Sequence, residues 1–310
     1  MNTRVLLSVS SLALLLLIGS LVLLAPERAD ARCGATQPAP AAPAAAPDPR
    51  RGPIYFDQAI RWVNNGKKGI HQVSDFYADL ANVKFNVEGS NHEGYMRLWL
   101  KTPSKYRVEL RPGRPMTRLT TKILDKDQMW IIHPPVGREA ARVERMHGRP
   151  GGAGAIQQLT SDRKRLMDLA RFLTLEGLKG PGVQLLNEGT TEGSGTFAGK
   201  WIRVRRRIAG GADVTFYLAY AKDPRDRTGR TLAATYPGIV KIHGNPTSNE
   251  PTEFYILKNW KAGPQFRYPG RIEAFKQARP GDRPQRFLLA FPLDIRINTR
   301  LPDTTFAPPK

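Results

Sequence analysis

The sequence is poor in cysteine and histidine, which limits the chemistry that it can carry. Cys33 is its one cysteine, so no internal disulfide can form and the fold must rest on its hydrophobic core. The histidines show no spacing to one another, to Cys33 or to carboxylates that is typical of metal ligands on a helix or hairpin. We therefore predict no metal site. The histidines are His71, His92, His133, His147 and His243.

The sequence also lacks the motifs that usually mark catalysis. Residues 193–195 (Gly-Ser-Gly) lie in turn-like composition, which excludes a nucleophile elbow between strand and helix. The glycines of 151–154 lack the Lys-Ser/Thr of a phosphate-binding loop. Asp125 and Asp127 flank one lysine, which is typical of a tight hairpin turn. We predict that the protein is not an enzyme and uses no cofactor.

No charged residue occurs from Val5 to Ala25, a stretch dominated by Leu, Val, Ile and Ala. This length suits either the apolar part of a signal peptide or a membrane-spanning helix. Ala29-Asp30-Ala31 provides a small-x-small cleavage site. We expect residues 1–31 to be a signal peptide or an amino-terminal anchor. The remainder is then expected in the periplasm or cell envelope, held at the inner membrane by residues 5–25 if cleavage does not occur.

An alanine- and proline-rich stretch, ATQPAPAAPAAAPDP, fills residues 35–49. Such a composition cannot bury a core and favours an extended tether, so residues 32–53 are predicted to be a disordered linker. Arg32 stands where the bacterial lipoprotein signal has a small residue, which argues against lipid attachment at Cys33. The predicted folded domain covers residues 54–310, enough for one large domain or two small ones.

Acidic residues are scarce beside the basic ones, and the formal net charge is +21. In the cytoplasm this charge would favour nucleic acid, but an exported domain does not meet it, so no nucleic-acid partner is predicted. An anionic membrane surface is a candidate partner instead. Arg203, Arg205 and Arg207 alternate with apolar residues and therefore share one face of a strand. They form either a solvated face or an anion-binding stripe.

Helical periodicity occurs in two places. Ile54 to Leu80 is predicted to be mainly helical, with an interruption at Asn64-Asn65-Gly66. A second helix is predicted from a cap at Ser161-Asp162 to Gly177. Residues 134–160 and 222–251 are rich in Gly, Pro and polar residues and indicate loop insertions, the latter with one short strand near 239–242.

Elsewhere the apolar pattern has a period of two. Roughly ten short strands joined by tight turns predict an antiparallel meander, and a sheet of that size curls. The apolar stripes of the helices need a partner, which only the sheet can supply. The predicted fold class is α+β: a curved antiparallel sheet, or incomplete β-barrel, with helices covering the concave face.

The predicted hollow is lipid-sized and apolar, roofed by movable amphipathic helices. Each residue of its wall could also serve simply as core. The residues predicted to line it are Met96, Leu98, Leu100, Val108, Leu110, Trp130, Ile132, Phe216 and Leu218.

Two blocks and the ending of the chain resemble the bacterial periplasmic lipoprotein carrier LolA and its relatives. Residues 94–109 (GYMRLWLKTPSKYRVE) place a proline turn between an aromatic-containing strand and an arginine-containing strand. Residues 123–134 (ILDKDQMWIIHP) form a hairpin pattern with a Trp and a terminal Pro. Residues 295–306 (IRINTRLPDTTF) are similar to the closing strand of the family.

The resemblance implies an incomplete antiparallel barrel with a helical lid that shields acyl chains from water, and it places Trp130 on the cavity wall. The superfamily contains carriers, outer-membrane acceptors and envelope-stress sensors, so the fold alone does not choose among them. LolA has an arginine before the proline of the first block, which latches the lid. Thr102 stands there in this chain, and the resemblance does not extend to that latch.

The leading hypothesis is therefore an envelope-localised, non-enzymatic protein that binds the acyl chains of a lipoprotein or lipid. The alternative is an envelope scaffold or stress-sensor module that grips an acidic glycan or protein through a basic face. Salt-sensitive binding without bound lipid would favour that alternative. An envelope hydrolase would need a deep polar site with a perturbed carboxylate or histidine, and the sequence offers no pattern for one.

Overall fold

The computed structural model describes residues 47–67, 69–70, 72–87, 90–112, 120–135, 140–175, 178–209, 211–222, 232–244 and 251–309. The predicted signal peptide and most of the predicted linker lie outside these ranges. Among the described residues, no helix combines the length and the apolar character that crossing a bilayer requires.

The described strands form one antiparallel sheet of 13 strands, in the order β6-β5-β4-β3-β2-β1-β13-β12-β11-β10-β9-β8-β7. Nearly every strand pairs with its neighbour in the chain, and β1 pairs with β13. The edge strands β6 and β7 do not pair with each other, so the sheet is open. The strands are β1 (Asp75–Val87), β2 (Ser90–Lys101), β3 (Lys105–Pro112), β4 (Thr120–Asp125), β5 (Gln128–His133), β6 (Arg142–Arg145), β7 (Val183–Gly193), β8 (Gly199–Ile208), β9 (Val214–Lys222), β10 (Leu232–Ile242), β11 (Thr252–Ala262), β12 (Arg267–Gln277) and β13 (Gln285–Ile297).

Two α-helices cover the inner face of this sheet, α1 (Gly52–Val63) and α2 (Gly152–Thr174). The buried residues of α1 recur at helical spacing, and Phe56 meets Phe216 of β9 edge to face at 5.2 Å between ring centroids. Phe172 of α2 lies 6.0 Å from the same Phe216 ring. Both helices and the sheet thus share one core, and the predicted fold class is confirmed.

The predicted helix up to Leu80 is wrong in its second half, because β1 begins at Asp75. Asn82 takes a left-handed backbone with φ of 48°, and the pairing of β1 with β2 shifts between Leu80 and Val83. Such a bulge puts one extra residue into the strand and breaks its period of two. Before this bulge the buried residues Phe76, Ala78 and Leu80 do alternate, and Tyr77 on the outer face completes a spacing that resembles that of a helix.

The two predicted loop insertions contain regular structure. Residues 134–160 include β6 and the start of α2, which begins at Gly152 and runs through the predicted cap at Ser161-Asp162. A Cβ at Gly152 would lie 2.0 Å from the carbonyl oxygen of Met146, so this approach of the chain requires glycine. Residues 222–251 include the whole of β10, whose pairing with β9 shifts at Pro237.

The closing segment of the chain is fixed to the start of β1 by a buried carboxylate. Asp75 is 2% exposed and accepts hydrogen bonds from the backbone N–H of Thr299 (2.7 Å) and of Arg300 (3.0 Å) and from the Thr299 hydroxyl (3.0 Å). Arg107 donates to the Thr305 carbonyl, and Phe306 is buried. The residues that give the ending its resemblance to LolA thus anchor this segment.

Candidate ligand-binding site

The inner face of β1, β2 and β3 is a continuous apolar wall. Residues opposite each other on antiparallel strands lie on the same face of a sheet. The register places Leu80, Met96 and Leu110 in one row and Ala78, Leu98 and Val108 in the next. All six are buried. The alternation seen in the sequence therefore builds one wall, as expected from strand geometry.

A cavity of about 60 Å³ lies between this wall and α2. Ligand pockets in proteins commonly have volumes of about 300–1,000 Å³, so α2 nearly fills the space in this conformation. The lining is apolar on both sides. From the sheet it includes Phe76, Ala78, Leu80, Met96, Leu98, Tyr106, Tyr255, Ile272, Leu288, Ala290 and Ile295, and from α2 it includes Leu166, Leu169 and Leu173.

The predicted lining residues take three different positions. Met96 and Leu98 lie on the cavity wall. Five others belong to the same buried core without lining the cavity: Leu100, Val108, Leu110, Phe216 and Leu218.

Trp130 and Ile132 were predicted on the cavity wall and lie on the opposite, outer face. The register pairs Trp130 with Ile123, and Ile123 with Arg107, along a row of the outer face. Their neighbours Met129 and Ile131 pack into the core instead. In a strand a displacement by one residue moves a side chain to the other face, so a hairpin motif alone does not tell which face is inside.

Two charged side chains of α2, Asp162 and Arg165, complete the cavity lining. Asp162 is 1% exposed; its Oδ1 accepts a hydrogen bond from Gln158 Nε2 (3.1 Å), and its Oδ2 has no hydrogen-bond partner. Burial raises the pKa of Asp162 to about 6. Arg165 pairs with Glu253 at 3.4 Å, and the Tyr255 hydroxyl donates to the same carboxylate (3.0 Å). The sequence analysis did not identify these groups, because it made Asp162 part of a helix cap. In the structure α2 begins at Gly152, and both side chains belong to the interior of the helix.

Asp162→Asn is expected to change how stability depends on pH. Folding favours the protonated carboxyl, because its pKa lies above the ordinary value of 3.8, so this contribution is complete below pH 4 and lost as the pH rises through about 6. A shift of about two pKa units corresponds to about 3 kcal/mol. The free energy of unfolding of the wild type relative to the variant should fall by about that amount over this range.

Urea unfolding of both proteins at several pH values measures this difference. The charged and titratable groups around Asp162 are Lys122 of β4, whose pKa burial lowers to about 8, Tyr106 of β3 and Arg165 of α2. Lys122 and Tyr106 both titrate above the acidic range, so that range reports on Asp162. A difference between the two proteins that stays constant from pH 4 to pH 7 would contradict a buried carboxyl of raised pKa.

Thr102 and Arg163 both make hydrogen bonds at the turn between β2 and β3. Thr102 is turned to β1, and its hydroxyl donates to the Ser74 carbonyl (3.1 Å). Arg163 of α2 donates a hydrogen bond to the Pro103 carbonyl. The helix therefore supplies the arginine that ties it to the turn between β2 and β3.

The predicted arginine stripe lies on the outer face of β8, as its alternation with the buried Ile202 and Val204 requires. Arg205 binds Asp213 at 2.6 Å and Glu188 at 3.4 Å, and Arg207 lies 3.6 Å from the same Asp213 carboxylate. Arg203 donates to the Glu188 carbonyl at 2.6 Å. Carboxylates of the chain itself therefore already engage the stripe, and its binding of an external anion stays a prediction.

Groups of three or more His, Cys, Asp or Glu side chains that could hold a metal ion do not occur among the described residues.

Comparison with known proteins finds similarity only among solved structures. No protein-family model matches the chain, and no curated protein matches it. A LolA superfamily protein from Nitrosomonas europaea has 10% identity and a TM-score of 0.40, with 83% of this chain and 97% of that chain covered. An outer membrane lipoprotein-sorting protein domain from Vibrio parahaemolyticus has 13% identity and a TM-score of 0.38, with 75% and 89% covered.

A DUF1329 family protein from Desulfovibrio piger has 11% identity and a TM-score of 0.38, with 83% of this chain and 97% of that chain covered.

Proposed function

We propose that this chain is an envelope-localised binding protein that holds an acyl chain of a lipoprotein or lipid between α2 and the inner face of its sheet. The observation that carries this proposal is a cavity with apolar walls on both sides, closed by one amphipathic helix. Transfer of an acyl chain of about a dozen methylenes out of water gains about 0.8 kcal/mol per CH₂, or about 10 kcal/mol in total. A bound chain therefore offers enough free energy to displace a helix.

Binding requires α2 to move away from the sheet, because the present cavity is far smaller than an acyl chain. Two features lower the free energy that is needed to displace α2. Asp162 lies buried with one oxygen unpartnered, which costs free energy in the closed state. The first turn has no side-chain cap, since Gly151 stands at the N-cap. A ligand that binds only the open arrangement shifts the population toward it.

Location in the envelope is part of the same proposal. It is supported by the uncharged stretch from Val5 to Ala25 and by the Ala/Pro-rich residues 35–49, which could tether the domain near a membrane. A role in binding rather than in catalysis fits a cavity whose walls are almost wholly apolar.

Organic extraction of the protein, followed by mass spectrometry, tests the proposal. The full chain is expressed with its own leader in a bacterial host and purified from the envelope fraction. We expect an acyl lipid or a lipoprotein to co-purify in stoichiometric amount. A protein that carries no lipid and also takes up no fluorescent fatty acyl probe would rule the proposal out.

The alternative, recognition of an acidic glycan or protein, is favoured by one cluster on the outer face. Glu273 is surrounded by Arg271 (3.1 Å), Arg286 (3.3 Å) and Lys258 (3.6 Å), which leaves a local excess of positive charge. Binding through this cluster should weaken steeply with salt, whereas burial of an acyl chain should not. Titration of an acidic polysaccharide at two salt concentrations separates the two functions.

A further inference from the structure

β10 and β11 are paired over only part of their length and separate over the rest. The register pairs Ile239–Ile242 of β10 with Glu253–Ile256 of β11, next to their connection. Beyond that point residues 232–237 of β10 pair only with β9, and residues 257–262 of β11 pair only with β12. We call the gap between residues 232–238 and 257–262, with the side chains that line it, the slot.

Aromatic rings line the slot from both faces of the sheet. On the inner side Trp62 of α1 lies 5.1 Å from Tyr236 and 5.6 Å from Trp260, between ring centroids. On the outer side Phe197 and Trp201 line it. Trp201 packs so closely on Gly238 that a Cβ there would lie 2.1 Å from its ring. Glycine at this position therefore lets the indole lie flat against β10.

The slot is open to solvent and has a volume of about 460 Å³, far more than the cavity under α2. This volume falls within the range of about 300–1,000 Å³ that is usual for ligand pockets. Trp260 lines the slot, and its indole Nε1 is buried without a hydrogen-bond partner, so the N–H meets a ligand in the slot only after the ring turns. An N–H group can only donate, so it suits a carbonyl oxygen of a ligand.

The slot adjoins the proposed acyl site. Tyr255 lines the cavity under α2 and Leu257 lines the slot. Both residues belong to the inner-face core, and they are two positions apart on β11, which is about 7 Å along a strand. The two sites therefore lie next to each other along β11.

We propose that the slot is a second apolar subsite, which takes one acyl chain with its ester or amide carbonyl accepting from the Trp260 N–H. That a second chain of the same ligand lies under α2 rests on the function proposed above. A quaternary ammonium group does not fit, because the slot rings pack against one another and Arg267 already lies over Trp62 at 4.6 Å. A saccharide fits less well, because Lys258, the one charged side chain of the lining, already pairs with Glu273 at 3.6 Å. The other polar side chains of the lining are those of Thr196, Tyr236 and Asn259.

Quenching of tryptophan fluorescence by a brominated acyl ester tests the subsite. The chain has five tryptophans, of which Trp62, Trp201 and Trp260 line the slot. Replacing Trp99 and Trp130 by phenylalanine leaves emission from the slot alone. Methyl 11-bromoundecanoate should then quench this emission saturably, and methyl undecanoate should not. Trp260→Phe should raise the ester concentration at half-maximal quenching about fivefold, since one hydrogen bond is lost.

Bulk placed at the mouth of the slot supplies the matched control. Ala198 is exposed and lines the slot, so Ala198→Phe should abolish the quenching. Ser194 is exposed on the same connection but does not line the slot. The ester should therefore quench the emission of the Ser194→Phe protein as it does that of the parent protein. Absence of saturable quenching, or equal quenching in both variants, would overturn the subsite.

Leu169→Arg separates this proposal from the proposed function, because Leu169 lines only the cavity under α2. Slot quenching that persists in Leu169→Arg supports a distinct subsite. Loss of quenching in that variant would place the probe under α2 and overturn the slot. Co-purified lipid without slot quenching would leave the proposed function standing and reject the subsite alone.

Discussion

Leu98→Arg is expected to abolish the co-purification of acyl lipid. Leu98 lies buried on the cavity wall, opposite Ala78 and Val108 on the neighbouring strands. A guanidinium there is either buried without a partner, at a cost of several kcal/mol, or occupies the space that an acyl chain needs. Both outcomes exclude the ligand. The measurement is the molar ratio of extracted acyl chains to protein, compared with the wild type.

Two further variants show whether such a loss is specific. Tyr95→Arg changes the outer face of the same strand at an exposed position and should retain the lipid. Leu169→Arg places the charge on α2, where the side chain is half-buried and the sheet is left intact. It should lose the lipid while circular dichroism stays that of the wild type. Lipid retained in a folded Leu169→Arg protein would contradict binding under α2.

Asp75→Ala is expected to lower the free energy of unfolding by about 2–4 kcal/mol, because several hydrogen bonds to one buried carboxylate are lost together. The carboxylate accepts bonds from the N–H groups of Thr299 and Arg300 and from the Thr299 hydroxyl. Removal takes away the acceptor of these donors and frees the closing segment from the start of β1, although water can replace part of the lost bonding because Thr299 and Arg300 are exposed. Urea denaturation followed by circular dichroism gives the difference in unfolding free energy.

Asp79→Ala is the matched control, because Asp79 lies on the same strand with a single ion pair to Arg97 at 3.4 Å. A half-exposed pair of this kind contributes less than about 1 kcal/mol. If Asp75→Ala cost no more than Asp79→Ala, the closing segment would not be held by the buried carboxylate.

The candidate site was predictable only where the strands are regular. Met96 and Leu98 follow an undisturbed period of two, and the sequence places them on the cavity wall as the structure does. Trp130 and Ile132 were assigned from a motif that carries no information about which face is inside. The polar groups Asp162 and Arg165 belong to a helix whose true start at Gly152 runs against the low helix propensity of glycine.

The slot was beyond sequence reasoning for a different reason. Its walls come from α1, β10, β11 and the connection between β7 and β8, and no local pattern links these segments. Most of β10 was not predicted as a strand, since it contains Pro237 and Gly238 and both residue types are unusual inside strands. Only the tertiary arrangement shows that they mark the place where the sheet opens.

The sequence by itself determined the class of fold, because alternating apolar residues and tight turns allow little besides an antiparallel sheet, and amphipathic helices must cover it. Tertiary structure decided the rest: the number and register of strands, the inner and the outer face, and the depth of the cavity. These features depend on bulges such as that at Asn82 and on contacts between distant segments, such as Asp75 with Thr299. A bulge inserts only one residue, yet it moves every following side chain of the strand to the opposite face of the sheet. Only packing against the rest of the protein decides which face is buried.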